Sequence, residues 1–194
     1  MRCLLIASLL WVGMAAPVWA GSALDYTRAT LQQASAIVAS ERAHNEKLQA
    51  LSALFKNFLD TDEMGRIVLG EHWASFNPTQ RKEFLVLFGR LLERTYVQKL
   101  LLFENPRFKY GGETRVDGET CVDTSIVTAR DDFAVVYLLR PLGERWLATN
   151  IKVENVSLTA NLGSQLDHLL SRSSVPDVLD LMRRKYGDDG GTNQ

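Results

Sequence analysis

The stretch DEMGRIVLGEHWASFNPTQRKEFLVLFGRLLERTYVQKLLLF, Asp62 to Phe103, decides how the chain is read. It divides into two helices at Phe76–Asn77–Pro78. Asn77 can cap the second helix, Pro78 fits its first turn, and Gln80 stands where a capping box places an amide. Asp60 or Thr61 would cap the first helix, which runs through Val68 and Leu69. From Phe84 onward the apolar positions include Phe88, Leu91, Leu92, Tyr96, Val97 and Leu100 to Phe103. That is more than the stripe a surface helix needs to cover one core. Such an excess is either buried on most sides or turned toward an apolar ligand, and pattern alone does not choose.

Upstream, Ser22 to Leu59 reads as helix in two parts. Leu31, Ala34, Ile37 and Val38 carry the first; Leu48, Leu51, Leu54, Phe55, Phe58 and Leu59 carry the second, all at threes and fours. The polar segment ERAHNEK between them reads as a junction. Downstream of Glu104–Asn105–Pro106 the period changes to alternation. Strands are expected at Arg107 to Tyr110, Thr120 to Thr128, Asp132 to Arg140 and Arg145 to Glu154, with GGETRVDGE as a turn. Phe133, Val135, Tyr137 and Leu139 share one face of the third. In the fourth, Leu147, Thr149, Ile151 and Val153 oppose Trp146, Ala148, Asn150 and Lys152. Short connections make the sheet an antiparallel meander. Helix returns at Ser157, and a last helix follows Pro176. The fold class is therefore α+β: helices on one face of a curved antiparallel sheet of about four strands.

Residues 1–20 have the layout of a secretory signal peptide: Arg2, an apolar run from Leu4 to Val18, then a small residue at Ala20. The run is too short for a membrane span. The expected organisation is a leader over 1–20, one domain over 21–186 and a disordered tail over 187–194. Within the domain the helical part is 22–104, the sheet 106–156 and the closing helices 157–186. Lys and Arg total 22 against 23 Asp and Glu, a formal net charge of −1, and no basic cluster stands out. Nucleic acid is a poor partner for such a chain. Of the 2 cysteines, Cys3 falls in the leader and Cys121 remains alone, so stability must come from a core.

A search for chemistry returns little. His44, His72 and His168 are scattered, and no Cys-x-x-Cys, zincin, nucleophile-elbow or phosphate-loop motif is present. The segment DTDEMGRIVLGE sets Asp60, Asp62, Gly65 and Glu71 at calcium-loop spacing. Met64 takes a ligand position without offering an oxygen, and a capped helix start explains the segment better. Asp123, Asp131 and Asp132 have no partner base.

Two blocks carry a resemblance. Leu69–Gly70, Trp73, Pro78, Gln80–Arg81, Phe84, Phe88, Leu91–Leu92 and Thr95–Tyr96 resemble the L-G-x-x-W…P-x-Q-R-x-x-F…F…L-L…T-Y pattern of the periplasmic toluene-tolerance/MlaC family. Trp146, Glu154, Val156–Ser157–Leu158, Asn161 and Gln165 are similar to its W…E-G-V-S-L…N…Q run. The resemblance spans roughly 47–185. Thr149–Asn150 stand where the family has Tyr-Asp, Asn155 replaces its Gly, and Leu162–Gly163 replace Tyr-Arg.

The resemblance implies a cystatin-like or NTF2-like sheet with a helical subdomain. It implies a phospholipid-binding auxiliary protein of an ABC transporter, serving lipid transport, outer-membrane lipid asymmetry and toluene tolerance. Such a carrier is a periplasmic monomer that shuttles phospholipid between an outer-membrane lipoprotein complex and an inner-membrane ABC transporter complex. Phospholipid would be its cargo; no cofactor, no metal and no catalysis are expected. The tails would lie between the helices and one sheet face. Periodicity together with the resemblance nominates Leu69, Trp73, Phe84, Phe88, Tyr96, Val135, Tyr137, Ile151 and Val153 as the lining. The competing readings are a small isomerase or dehydratase with a conical pocket, and a periplasmic adaptor without ligand.

Overall fold

The computed structural model describes residues 21–187, apart from 103–105, 117 and 129–130. The expected leader and the tail beyond Gly187 lie outside the described residues. Helix α1 is Ala23–Ala39, started by Ser22, whose hydroxyl accepts from the Asp25 amide at 3.0 Å. Helix α2 is His44–Phe58. The polar junction is thus shorter than its composition suggests, because His44 to Lys47 already form a helical turn. Helix α3, Thr61–Leu69, is capped by Asp60, which accepts from the Glu63 amide. Winding this segment into helix takes it out of the loop shape that calcium ligation needs.

Gly70 ends α3 with φ 49 and ψ −124, a backbone region that only glycine enters at little cost. A 3-10 turn over Gly70–Ser75 follows. Helix α4 is Pro78–Leu92, and its capping box is reciprocal: Asn77 Oδ1 accepts from the Gln80 amide, and Gln80 Oε1 from the Asn77 amide, both at 2.9 Å. The chain then passes through a π-turn over Glu93–Val97 into α5, Gln98–Leu100. The sequence gives no sign of that π-turn.

Strands β1 Arg107–Val116, β2 Glu119–Val127, β3 Asp132–Leu142, β4 Arg145–Val153 and β5 Val156–Ser157 form one antiparallel meander in chain order. β1 corrects the expected turn: Gly111 to Val116 continue the strand past a bulge between Tyr110 and Glu113. A second irregularity changes the reading of β4. Leu138 faces Asn150 while Leu139 faces Ala148, so Thr149 is the extra residue of a bulge. Side chains alternate only within an unbroken ladder. Beyond the bulge Trp146 and Ala148 therefore join Ile151 on the core face, and the simple opposition of the two sets fails.

The turn into β5 holds Glu154 and Asn155 at φ 49 and 64. Asn155 stands where the family pattern has Gly, and asparagine is among the residues that adopt this left-handed backbone most readily. Helices α6, Leu158–Leu170, and α7, Val175–Tyr186, complete the chain. Gly163 of α6 lies so close to α3 that a Cβ there would stand 3.3 Å from the Val68 carbonyl oxygen.

Two cores result. One joins α1 and α2 to the sheet through Leu31, Leu51, Phe55, Phe58, Val122, Val135, Tyr137 and Trp146. The other lies within α3, α4, α6 and α7 around Met64, Leu69, Phe84, Phe88, Leu166 and Val178. Leu59 packs against both. Each fully buried large side chain contributes roughly 1.5–3 kcal/mol, so the two clusters supply what a chain without disulfides must find in packing.

Candidate functional site: an apolar cavity under the sheet

A cavity of about 400 Å³ lies between the sheet and the helices. Strand pairing builds its sheet side. Val135 faces Val153, Tyr137 faces Ile151, Ile126 faces Phe133, and Phe108 faces Ile126. Alternation sends all seven of these side chains toward the helices, where they line the cavity. Leu31 of α1, Phe55 of α2, Leu59 and Leu158 add to the walls. The remaining wall is the end of the long helix, with Leu92, Tyr96, Val97, Lys99 and Leu100.

The π-turn explains how one helix serves two regions. Its wider turn advances the following side chains by about one residue's rotation, roughly 100°. Phe84 and Phe88 consequently pack in the helical core, whereas Tyr96, Val97 and Leu100 reach the sheet side. Two contacts fix the turn. Ser52 Oγ donates to Glu93 Oε1 at 2.7 Å, and Arg94 donates to the carbonyl oxygens of Lys185 and Gly187 at 2.9 and 3.2 Å.

Burial divides the cavity into floor and rim. Leu31, Val135, Tyr137 and Phe55 are buried, while Tyr96 is 38% and Val153 44% exposed. The Tyr137 ring meets Phe58 edge to face at 5.5 Å. Burial pushes the Tyr137 phenol well above its ordinary pKa, with Tyr110 adding to the rise. Burial likewise raises Tyr96, aided by Tyr186. Among the described lining residues the ionisable groups are these two phenols and the Lys99 amine. Among the described lining residues there is neither a carboxylate nor a histidine. No group of three His, Cys, Asp or Glu suited to a metal occurs among the described residues.

Of the nine nominated residues, the cavity brings together Tyr96, Val135, Tyr137, Ile151 and Val153. The other four stand elsewhere. Phe84 and Phe88 stack at 5.7 Å inside the helical core and border a smaller cleft of about 140 Å³ against α6 and α7. Leu69 is buried in the same core, and Trp73 packs against it. The Arg81 guanidinium lies over the Trp73 ring at 4.9 Å and donates to the Trp73 carbonyl oxygen at 2.9 Å.

Sequence reasoning missed several lining residues. Phe133 was within reach, because it shares the alternation of Val135 and Tyr137. Phe108 and Ile126 depend on the register of β1 with β2, and Leu31 and Phe55 on long-range packing, for which the sequence carries no local signal.

The sequence model for the MlaC protein family matches residues 26–184. No curated protein matches the chain. A solved structure from Ralstonia solanacearum, a phospholipid-binding protein in complex with a phospholipid, superposes with a TM-score of 0.75. It is 18% identical, and the match covers 85% of this chain and 97% of that one. At that identity the likeness speaks for the fold. The family match runs from within α1 nearly to the end of α7 and so takes in both cores and every wall of the cavity: the chain belongs to the MlaC protein family.

Proposed function

We propose that this protein is a periplasmic phospholipid carrier that holds acyl chain in the cavity beneath the sheet. The observation that carries the reading is the cavity's lining, aliphatic and aromatic side chains from every element around it, with Lys99 as the one charged residue among the described lining residues. Hiding a chain from water is worth about 0.8 kcal/mol per methylene, so a carrier needs an enclosed apolar site. An aliphatic lining with few fixed polar contacts also resembles the membrane interior, which lets cargo leave for a bilayer. The phospholipid in the related Ralstonia structure supports the same cargo class.

In this reading Tyr96, Val135, Tyr137, Ile151 and Val153 touch the chain, together with Phe108, Ile126 and Phe133. Leu69, Trp73, Phe84 and Phe88 form the packing that holds the long helix in place. The protein works as a monomer without cofactor. It exchanges cargo with an inner-membrane ABC transporter complex and an outer-membrane lipoprotein complex, and it reaches the periplasm by its leader. Among the described residues no helix is long and apolar enough to cross a membrane.

Native mass spectrometry of protein purified from cells, followed by solvent extraction, tests the reading. A stoichiometric phospholipid adduct is the expected result. A clean unliganded mass with nothing extractable would overturn it.

A further inference from the structure

Lys99 is the one charged side chain among the described residues that line the cavity. Lys99 lies on α5 among apolar lining residues, and its side chain is exposed at the rim. Its Nζ stands 6.0 Å from the centre of the Tyr96 ring, another rim residue. No ion pair or hydrogen bond ties this amine to another described residue. Three other cations around the sheet and long helix are already engaged. Lys109 pairs with Asp132 at 2.7 Å, Arg94 holds the end of α7, and Arg140 is bound to Asp60. An apolar cavity that took only a hydrocarbon would gain nothing from an ammonium at its mouth. An amphiphile with its chain inward leaves its polar end at that rim.

We infer that Lys99 is the head-group contact of the cavity and that its Nζ donates to the phosphate of a phosphate-bearing lipid. The inference rests on the reading of the cavity as the acyl-chain site. An ammonium is a compact point charge suited to phosphate, and charge-assisted hydrogen bonds are stronger than neutral ones. The contact is exposed, so salt and water weaken it. It therefore tunes which lipid is held, while the chain supplies most of the affinity. The Tyr96 ring lies beside the ammonium, where cation–π attraction favours keeping the amine at the rim.

The experiment compares phosphatidylglycerol with diacylglycerol of the same chains, bound to the full mature protein and to Lys99→Gln and Lys99→Arg. Lys99→Gln should weaken phosphatidylglycerol by about three- to tenfold and leave diacylglycerol unchanged. Lys99→Arg should restore the preference, and raised salt should erode it in the parent protein but not in Lys99→Gln. Unchanged phosphatidylglycerol binding by Lys99→Gln, or equal weakening of both lipids, overturns the assignment of Lys99. Failure of the parent protein to bind either lipid overturns the cavity reading instead, so the two failures are distinct.

Discussion

Asp60 and Arg140 join the helical half of the molecule to the sheet. The Asp60 carboxylate, 7% exposed, is ion-paired with the Arg140 guanidinium of β3 while it caps α3 through the Glu63 amide. The Asp60 amide donates to the Ala148 carbonyl oxygen at 2.9 Å, beside the bulge in β4. One residue thus sets a helix start, a charge pair and a strand contact next to Leu59, which borders both cores.

The losses from removing each partner of that pair should not add. Arg140→Ala leaves a buried carboxylate uncompensated and should lower unfolding stability by about 1–3 kcal/mol, moderated because the arginine is half exposed. Asp60→Ala loses the cap as well. In a double-mutant cycle the combined variant should lose clearly less than the sum of the single losses, measured by urea unfolding. Simple additivity would show that the two side chains do not interact.

Gly70 ends α3 in a conformation that other residues enter under strain. Gly70→Ala should lower stability by about 1–3 kcal/mol, although a Cβ there meets no neighbour within 4 Å. The loss comes from the backbone alone. A melting temperature equal to the parent's would contradict it.

Thr27 buries a hydroxyl that finds no partner among the described residues. Thr27→Val keeps the shape and removes the unpaired group, so stability should rise by about 1 kcal/mol. A shift of the urea midpoint without a change of slope is the expected signature. A loss of stability would mean that the hydroxyl is satisfied.

Tyr137 gives a pH dependence with a definite sign. Its phenol is raised in the folded state, so above the ordinary tyrosine range the unfolded chain releases a proton that the folded one keeps. Stability is whole below about pH 10 and falls as pH rises beyond it. Tyr137→Phe removes this contribution, and its alkaline unfolding should begin at higher pH than the parent's. Identical alkaline profiles would contradict the burial of that hydroxyl.

Much of this architecture is legible in the sequence because its signals are local. Asn77–Pro78 with Gln80 marks a helix start that side-chain hydrogen bonds enforce, and Phe133, Val135 and Tyr137 mark a strand face by alternation. Two of the misses share one cause. The bulge at Thr149 and the π-turn at Glu93–Val97 each add a residue to a regular repeat. Each changes which face later side chains present, and neither has a composition of its own. The candidate site inherits that limit. Phe84 and Phe88 read as continuous with Tyr96 along one helix, yet the π-turn parts them between two regions. Core and cavity residues are also the same residue types, so only the packing separates Phe88 from Val135.

The central claim is that acyl chain occupies the space under the sheet and not the helical core. Loading the mature protein with a phospholipid that carries a photoreactive diazirine in its chain, then mapping the crosslinks by mass spectrometry, tests it most directly. Adducts on Leu92 to Leu100, on Phe133 to Tyr137 and on Ile151 to Val153 are the predicted result. Adducts confined to Trp73, Phe84, Phe88 and the facing residues of α6 and α7 would contradict it.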